Sequence, residues 1–306
     1  MKKNILVTGA AGFIGSAVAS KLIELNYNVY TIDNLSTGFI EKIPNNVKFI
    51  KGNTYDKNIL QNFSKVNFYA ILHIAGQSSG EISFENPVYD LKSNTESTLN
   101  LLQFCKNNGC NKFIFASTMS VYGDSKKDYV EENDNLNPKS FYSIGKIASE
   151  QYMKIYSQFG INSIALRLFN VYGPGQNMTN MKQGMASIFL SQALNDNSII
   201  VKGSLERYRD FVYIDDVVSS FVLALDSNIK GFDFFNVCSK SMTKVSDILK
   251  IISQEFPNKI EISQEKGTPG DIFGIVGCNK KILKNLNWKP TYSFNEGMIR
   301  MINSLL

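Results

Sequence analysis

The sequence predicts an α/β fold, a doubly wound parallel sheet with a smaller C-terminal α/β domain. Three observations support this prediction. Short apolar runs alternate with helical patterns through the first half of the chain, a glycine-rich segment directly follows the first apolar run, and an aspartate ends the second. Alternating strands and helices place a parallel sheet between two layers of helices.

The first strand–helix–strand unit has the pattern of a dinucleotide-binding motif. The apolar run 5–7 leads into TGAAGFIG (8–15), and an apolar helical pattern follows. The glycines permit a tight turn and a close approach of the backbone to a pyrophosphate, which the helix N-terminus stabilises. Asp33 ends the second strand candidate, eighteen residues past Gly15. An acid at that distance accepts the ribose hydroxyls of NAD and repels the 2′-phosphate of NADP, so we expect a Rossmann domain that binds NAD.

The remaining elements continue the alternation. Strands are predicted at 4–8, 28–33, 47–51, 68–74, 112–117 and 163–168. Helices are predicted between them, among others at 14–25, 86–107 and 142–158. The pattern loosens beyond residue 175, where helical stretches (182–194 and 245–255) and short strands (around 199–201 and 260–262) indicate the smaller domain.

Composition excludes several classes of function. Hydrophobic residues at 43% and charged residues at 19% are typical of a globular protein, and the net charge of +5 is dispersed, so no nucleic-acid partner is expected. No apolar run approaches the ~20 residues that cross a bilayer, and the N-terminus reaches glycines before a signal-peptide core could form. We therefore expect a cytoplasmic protein without membrane attachment.

The cysteines and the single histidine argue against a metal centre. The four cysteines show no Cys-x-x-Cys spacing and are expected to be reduced. His73 is the only histidine and ends a buried strand candidate. We expect no metal site, and for His73 a structural role in supporting the loop that follows it.

Tyr142 and Lys146 form the most informative pair of residues in the chain. Four residues apart on a helix, they lie one turn apart on the same face. A phenol has a pKa of about 10, and a neighbouring ammonium favours the phenolate, which can exchange a proton with a sugar hydroxyl. Ser117, Thr118 and Ser120 follow at the C-terminal end of a strand candidate, the edge of a parallel sheet at which the cofactor and the chemistry are expected.

The motifs, taken together, resemble those of the extended short-chain dehydrogenase/reductases, in particular the nucleotide-sugar epimerases. The resemblance covers nearly the whole chain. Its motifs, in family order, are TGAAGFIG (8–15), DNLSTG (33–38), HIAGQ (73–77), STMSVYG (117–123), YSIGK (142–146), RLFNVYGPG (167–175), RDFVYIDDVV (209–218) and NWKP (287–290).

The resemblance implies an NAD-dependent nucleotide-sugar 4-epimerase. Tyr142 would take the proton of the sugar 4-hydroxyl while the C4 hydride passes to NAD, and the transient 4-keto sugar would turn before the hydride returns to its other face. It also implies a Rossmann domain of residues 1–172 and 210–238, a sugar-nucleotide domain of residues 173–209 and 239–306, and a homodimer formed through the helices after strands four and five.

The resemblance assigns roles to individual residues. The implied catalytic residues are Thr118, Tyr142 and Lys146. The implied cofactor-binding residues are Gly9, Gly12, Phe13, Ile14, Gly15, Asp33, Asn34, Ser36, Thr37, Gly38, Asn53, Thr54, Ala75, Gly76, Gln77, Ser117, Tyr142 and Lys146. The implied substrate-binding residues are Ser78, Ser79, Glu81, Thr118, Met119, Asn170, Arg209 and Asp271, and Arg207 is a further candidate.

Three departures from the family pattern bear on the reaction and the substrate. Many 4,6-dehydratases have Thr-Asp-Glu where this chain has Thr118-Met119-Ser120, which argues against dehydration because Met119 supplies neither acid nor base. An Arg that often precedes Pro-Gly-Asp is here Thr268, and Ser78 stands where galactose epimerases place an NAD-contacting Lys. Gly145 is unusual inside a helix and is interpreted as making room for the cofactor or a neighbouring backbone.

Two other functions stay open at this point. A dehydrogenase or 4-keto reductase with exchanging NAD(H) would use the same Thr, Tyr and Lys. A non-catalytic NAD(H)-binding regulator is disfavoured because Tyr142 and Lys146 are both present. The nucleotide and the sugar are not specified by the sequence.

Overall fold

The computed structural model describes residues 2–267 and 272–306. Its strands are β1 (Asn4–Thr8), β2 (Asn28–Asp33), β3 (Lys48–Lys51), β4 (Phe68–His73), β5 (Lys112–Thr118), β6 (Asn162–Leu168), β7 (Asn170–Tyr172), β8 (Ser198–Lys202), β9 (Tyr208–Arg209), β10 (Phe211–Tyr213), β11 (Phe232–Val237), β12 (Thr243–Lys244), β13 (Glu261–Glu265) and β14 (Gly274–Ile275). Its α-helices are α1 (Phe13–Glu24), α2 (Lys57–Gln61), α3 (Gly80–Glu85), α4 (Pro87–Leu91), α5 (Ser97–Asn108), α6 (Phe141–Tyr156), α7 (Met185–Asp196), α8 (Ile214–Asp226), α9 (Val245–Glu255), α10 (Lys280–Leu286) and α11 (Phe294–Asn303).

Seven strands form the main sheet, in the order β3-β2-β1-β4-β5-β6-β11, and every neighbouring pair is parallel. The strand order reverses between β1 and β4, and the carboxyl ends of the strands on either side of such a point flank a ligand-binding crevice. The predicted doubly wound parallel sheet is confirmed. All six predicted strands of this sheet agree with the observed ones to within one residue at each end.

The core lies on both faces of this sheet. Alternation along β1 sends Ile5 and Val7 into one buried cluster and Leu6 into another. The first cluster continues to Trp288 and Met298, so it joins the sheet to the C-terminal elements. The Trp288 indole donates a hydrogen bond to the Asp216 carbonyl at 2.9 Å.

The C-terminal elements form small sheets of their own. Strand β8 pairs in parallel with β13, β9 lies between β12 and β14, and β7 pairs with β10. Strand β11 returns from this part of the chain to the edge of the main sheet. The exact limits of the two domains stay a prediction. Within the described residues, no helix is long and apolar enough to cross a membrane.

The helical pattern predicted over 86–107 is confirmed, because residues 87–108 are helical without interruption, as α4, a π-helical turn and α5. Asn86 ends α3 and caps α4, where its side chain accepts a hydrogen bond from the Tyr89 backbone N–H. A π-helical turn, Lys92–Glu96, then joins α4 to α5. Such a turn inserts an extra residue and shifts the helix face that follows, a device frequent at functional sites.

Candidate active site

The glycine-rich turn leaves no room for side chains. Gly9 has φ +81°, and a Cβ there would lie 2.8 Å from the Ala75 backbone nitrogen. A Cβ on Gly15 would lie 2.0 Å from the Gly9 carbonyl oxygen, so helix α1 packs directly on the turn. The turn thus exposes the N-terminus of α1, whose backbone N–H groups suit a pyrophosphate.

Asp33 is fixed at the carboxyl end of β2. One carboxylate oxygen accepts the Ala11 N–H at 3.0 Å, and the other accepts the Leu35 N–H at 2.8 Å. These bonds hold the carboxylate beside the glycine-rich turn, where a dinucleotide ribose lies in this motif. The turn and Asp33 together therefore fit NAD.

One cleft, called here the glycine cleft, opens above this turn. It is lined by fourteen of the predicted cofactor-binding residues, namely Gly9, Gly12, Phe13, Ile14, Gly15, Asp33, Asn34, Ser36, Thr37, Gly38, Asn53, Thr54, Ala75 and Gly76. The Asn34 side-chain amide donates to the side-chain oxygen Oδ1 of Asn53 at 2.8 Å and joins the two loops that form the rim.

A second cleft, called here the tyrosine cleft, continues from the first. The two share residues of their lining, among them Ile14, Gly76 and Ser78. The tyrosine cleft is lined by the predicted residues Ser117, Thr118, Met119, Tyr142, Lys146, Ser78, Ser79, Glu81, Asn170 and Arg209. The predicted cofactor and substrate residues therefore meet along one continuous groove.

Thr118, Tyr142 and Lys146 lie together at the base of the tyrosine cleft. The Thr118 hydroxyl and the Tyr142 phenol line the same cleft, and Thr118 acts to lower the pKa of Tyr142. The Lys146 ammonium lies 5.7 Å from the centre of the Tyr142 ring and donates to the Ala116 carbonyl at 3.0 Å. Helix α6 presents both side chains on one face, and Ser140 caps that helix by accepting the Ser143 N–H.

Burial changes the acid–base properties of this pair. Desolvation raises the pKa of Tyr142 to about 12, although the bond from Thr118 opposes the shift. Desolvation also lowers the pKa of Lys146 to about 8, against the opposing charges of Asp90 and Glu150. The expectation that a neighbouring ammonium makes the phenol more acid is therefore not met in the protein alone, because desolvation dominates and the Asp90 charge raises the pKa further.

A buried polar cluster of Gln77, Asp90 and Asn94 stabilises the charge of Lys146. The Gln77 amide donates to Asp90 at 2.7 Å, and the Asn94 amide donates to Asp90 at 3.1 Å and to the Gln77 carbonyl at 2.9 Å. Gln77 is thus engaged with the protein itself. The Asp90 charge opposes the desolvation of Lys146 and so favours its ammonium form.

Gly145 explains how α6 approaches this cluster. A Cβ at Gly145 would lie 3.0 Å from the Thr95 hydroxyl and 3.7 Å from an Asp90 carboxylate oxygen. The glycine therefore makes room for the π-helical turn and the end of α4. Sequence reasoning missed Asp90 and Asn94; their signal was two polar residues one turn apart on a helix face that packs inward.

Ser117 lines the tyrosine cleft, but its hydroxyl is engaged with the protein itself. Its hydroxyl donates to Glu150 at 2.6 Å, and Glu150 forms a buried ion pair with Arg167 at 2.7 Å. Arg167 also donates to the Tyr122 phenol at 2.8 Å. This network ties β5, β6 and α6 together directly beneath the catalytic pair.

His73 has the structural role that was expected of it. Its Nδ1 atom lies 2.8 Å from the Thr8 hydroxyl, which also accepts the N–H groups of Ile74 and Ala75 at 3.1 Å each. Complete burial and the nearby Lys146 hold the pKa of His73 well below its usual range. The neutral ring fixes the loop between the two clefts.

The remaining predicted substrate residues differ in their surroundings. Arg209 donates to the carbonyls of Tyr208 and Phe273 at 2.8 and 3.1 Å, and burial lowers its pKa to about 10. Arg207 instead turns to the carbonyls of Ser204 and Lys202.

The other predicted substrate residues lie along the walls of the tyrosine cleft. Asn170 donates to the Asp210 carbonyl at 3.1 Å. Glu81 lies 3.9 Å from Lys182, which pairs more closely with Glu85 at 2.6 Å. Asp271 lies outside the described residues.

Residues 5–238 match the NAD dependent epimerase/dehydratase family. The chain belongs to this family. The resemblance to the extended short-chain dehydrogenase/reductases is confirmed, and NAD is the cofactor.

Individual relatives cover almost the whole chain. A putative UDP-glucose 4-epimerase of Methanocaldococcus jannaschii is 36% identical over 301 residues, which are 98% of this chain and 97% of the relative. The dTDP-4-dehydro-6-deoxyglucose reductase of Escherichia coli is 30% identical over 313 residues, with 99% and 98% covered. The crystal structure of the Thermotoga maritima UDP-glucose 4-epimerase with UDP-glucose superposes with a TM-score of 0.95 at 33% identity, covering 99% of this chain and 98% of that one.

Proposed function

We propose that this family member is a nucleotide-sugar 4-epimerase that keeps its NAD bound throughout the reaction. The observation that carries the proposal is the continuous groove, in which the NAD-fitting glycine cleft opens into the tyrosine cleft beside Thr118, Tyr142 and Lys146. The bound NAD would supply a hydride acceptor that also serves as the donor. The chain must therefore move only one proton and hold one oxygen.

Tyr142 is the proposed acid–base group. Its phenolate would take the proton of the sugar 4-hydroxyl, and the phenol would return that proton to the 4-keto oxygen. Once the sugar is bound, Thr118 would turn its single hydroxyl proton from Tyr142 to the same sugar oxygen and so hold that oxygen beside Tyr142. Lys146, kept cationic by Asp90, lowers the cost of the phenolate once the cofactor's own positive charge is also present.

Arg209 is the proposed anchor for the diphosphate. Two backbone carbonyls orient its guanidinium in the wall of the tyrosine cleft. A guanidinium presents paired N–H donors that match phosphate oxygens, so it can fix the nucleotide while the sugar turns. Asn170 lies in the same wall and would contact the sugar nucleotide between Arg209 and Tyr142.

Met119 argues against dehydration of the sugar. It lines the tyrosine cleft directly after Thr118. Removal of water across C5 and C6 needs an acid and a base at this place, and a thioether provides neither. We therefore propose oxidation and reduction at C4 alone.

The test uses the purified protein without added cofactor. Denaturation should release NAD or NADH, and the native protein should convert members of a panel of UDP-, GDP- and CDP-sugars to their C4 epimers without incorporating solvent deuterium. An empty protein that turns over sugars only when NAD(H) is supplied would instead identify a dehydrogenase or 4-keto reductase. Bound NAD without turnover of any sugar would favour a regulator.

A further inference from the structure

Four hydroxyl groups form a continuous chain that ends at Thr118, which lines the same cleft as the phenol of Tyr142. The Ser140 and Ser143 oxygens lie 2.9 Å apart, and Ser143 donates to Ser120 at 2.9 Å. The Ser120 and Thr118 oxygens lie 3.0 Å apart, and the Thr118 hydroxyl lowers the pKa of Tyr142. Sequence reasoning assigned a role to Thr118 alone among the four.

Counting protons fixes the direction at the outer end of the chain. A serine hydroxyl has one proton to donate and two lone pairs to accept with. Ser143 gives its only proton to Ser120, so Ser140 must donate to Ser143. Ser140 meanwhile accepts the Ser143 backbone N–H at 3.2 Å, as the cap of α6.

The phenolate form of Tyr142 fixes the direction at the inner end. A phenolate can only accept, so Thr118 must donate to it. Thr118 already accepts the Ser120 backbone N–H at 3.1 Å, and its remaining lone pair faces the Ser120 hydroxyl. All four protons then point along one direction, from the cap of α6 to the phenolate oxygen.

Hydroxyls aligned in this way polarise one another, and each strengthens the hydrogen bond of the next. We propose that Ser140, Ser143 and Ser120 are positioning residues that act through Thr118 to stabilise the phenolate of Tyr142. This inference rests on the proposed function. In it, the four hydroxyls partly offset the effect of desolvation, which makes the Tyr142 phenol less acidic. The protein would gain this offset without placing another charge in the sugar site.

Charged groups face Tyr142 from several elements. Lys146 lies on its own helix, and the Asp90 charge, at the end of α4, opposes ionisation of the phenol. Further charged side chains line the same cleft from other elements, namely Glu81, Lys139, Lys182 and Arg209. Because the serines are neutral, replacing one of them leaves all of these charges in place.

The test follows the ionisation of Tyr142 directly, in protein loaded with NAD. The ultraviolet tyrosinate signal of the wild type minus that of Tyr142→Phe isolates this one phenol among the fourteen tyrosines. The same subtraction is made for Ser143→Ala, using the double variant with Tyr142→Phe. We expect Ser143→Ala to raise the midpoint of Tyr142 ionisation by roughly half a pH unit and to shift the rising limb of the kcat/KM profile equally.

Ser220→Ala is the matched control. Ser220 is fully buried like Ser143, but its hydroxyl donates to the Val217 carbonyl at 2.7 Å. Ser220→Ala should leave the midpoint of Tyr142 ionisation unchanged. If Ser143→Ala does not fold, Ser120→Ala, which interrupts the hydroxyl chain at a half-buried residue, should raise that midpoint instead. Equal midpoints of Tyr142 ionisation in the wild type, Ser143→Ala and Ser120→Ala would overturn the inference.

The titration needs no sugar, so it separates the inference from the proposed function. A shifted midpoint in protein that epimerises no sugar would refute the epimerase and support the hydroxyl chain. An unshifted midpoint in active protein would refute the hydroxyl chain and leave the epimerase standing.

Discussion

At the scale of single residues, the site is governed by desolvation. Tyr142 and Lys146 have the spacing of a working pair, yet burial moves their pKa values away from a phenolate–ammonium state, to about 12 and about 8. A positive nicotinamide ring and the donor Thr118 both favour the phenolate. The acid–base pair therefore becomes competent only with the cofactor in place, which couples proton transfer to the presence of NAD.

Tyr142→Phe should remove the acid–base group while leaving the helix intact. We expect kcat for epimerisation to fall by roughly a hundred- to ten-thousandfold, the usual contribution of a positioned acid–base group. Steady-state kinetics and circular dichroism measure the two effects. Tyr152→Phe, on the same helix and half-buried against the core, is the control, and an equal loss of kcat there would point to disruption of the helix.

Asp210 should make stability depend on pH. Its carboxylate accepts bonds from the Ser239 hydroxyl, at 2.7 Å, and from the N–H groups of Ser239, Lys240 and Gly277, at 2.8, 3.0 and 3.1 Å. Burial nevertheless raises its pKa to about 6. Between about pH 4 and 6 the folded state then binds more protons at this group than the unfolded state, so its contribution to the free energy of unfolding falls as pH rises.

Asp210→Asn removes that titration. The difference in unfolding free energy, wild type minus variant, should fall by roughly 1–3 kcal/mol between pH 4 and pH 6.5, as followed by urea denaturation. A difference that stays constant with pH would contradict the raised pKa of Asp210.

At the scale of elements, a segment of the C-terminal half covers the cofactor site. The Lys42 ammonium donates to the Gly175 carbonyl at 2.5 Å, and the Asn177 amide donates to the Thr37 carbonyl at 3.2 Å. Gln176 and Gln183, from the same segment, line both clefts. These contacts fasten residues 175–183 across the rim of the glycine cleft, as a retained cofactor requires.

Removing both hydrogen bonds, those of Lys42 and Asn177, should speed the release of NAD. For the double variant Lys42→Met and Asn177→Ala, we expect the dissociation rate of NAD to rise roughly thirtyfold, since each of the two lost bonds contributes about 1 kcal/mol. Dilution of NAD-loaded protein, followed by the appearance of free NAD, gives the rate. Lys48→Met is the control, because among the described hydrogen bonds the Lys48 ammonium donates only to the neighbouring Tyr30 phenol. A similar increase in the NAD dissociation rate for this variant would contradict a specific role of the Lys42 and Asn177 bonds.

The sequence was sufficient for the sheet and for the extent of the helix before β5. Buried parallel strands are continuous apolar runs bounded by turns, so their limits are readable. The π-helical turn inside that helix was not predictable, because its extra residue leaves no mark in the periodicity. The edge strand β11 alternates less clearly because Phe232 and Phe234 are only half-buried.

The candidate site divides in a similar way. Residues in motifs, such as Gly9, Asp33 and Tyr142, were predictable because a local backbone shape or a helical spacing determines their place. Asp90 and Ser120 were not, because their partners Gln77 and Ser143 are 13 and 23 residues away in the chain and meet them only after folding. The pKa of Tyr142 depends on the surrounding protein, and no spacing between residues encodes desolvation.

At the scale of the whole molecule, an apolar face stands uncovered around α4–α6. Val88, Leu91 and Ile144 are 63%, 56% and 51% exposed, and the rings of Phe84 and Phe141 meet edge to face on neighbouring elements, with centres 5.6 Å apart. Contiguous apolar patches of this kind usually mark interfaces. We propose that two copies of the chain associate through this face.

Charged substitutions should separate the two copies. Val88→Asp with Leu91→Asp is expected to convert a dimer to a monomer, since an aspartate on each copy would be buried without a partner. Light scattering coupled to gel filtration measures the mass. Leu283→Asp, 45% exposed on α10, is the control; a wild type that is already monomeric would contradict the proposal.

Whether the cofactor stays bound during turnover is tested most directly by following the hydrogen at C4 of the sugar. A UDP-sugar carrying deuterium at C4 is incubated with the purified protein in the presence of excess unlabelled NADH. If the cofactor stays bound and returns the same hydride, the epimer formed should retain deuterium at C4. Loss of the label into the free cofactor pool would show that NAD(H) exchanges during turnover and would contradict the account of a self-contained epimerase.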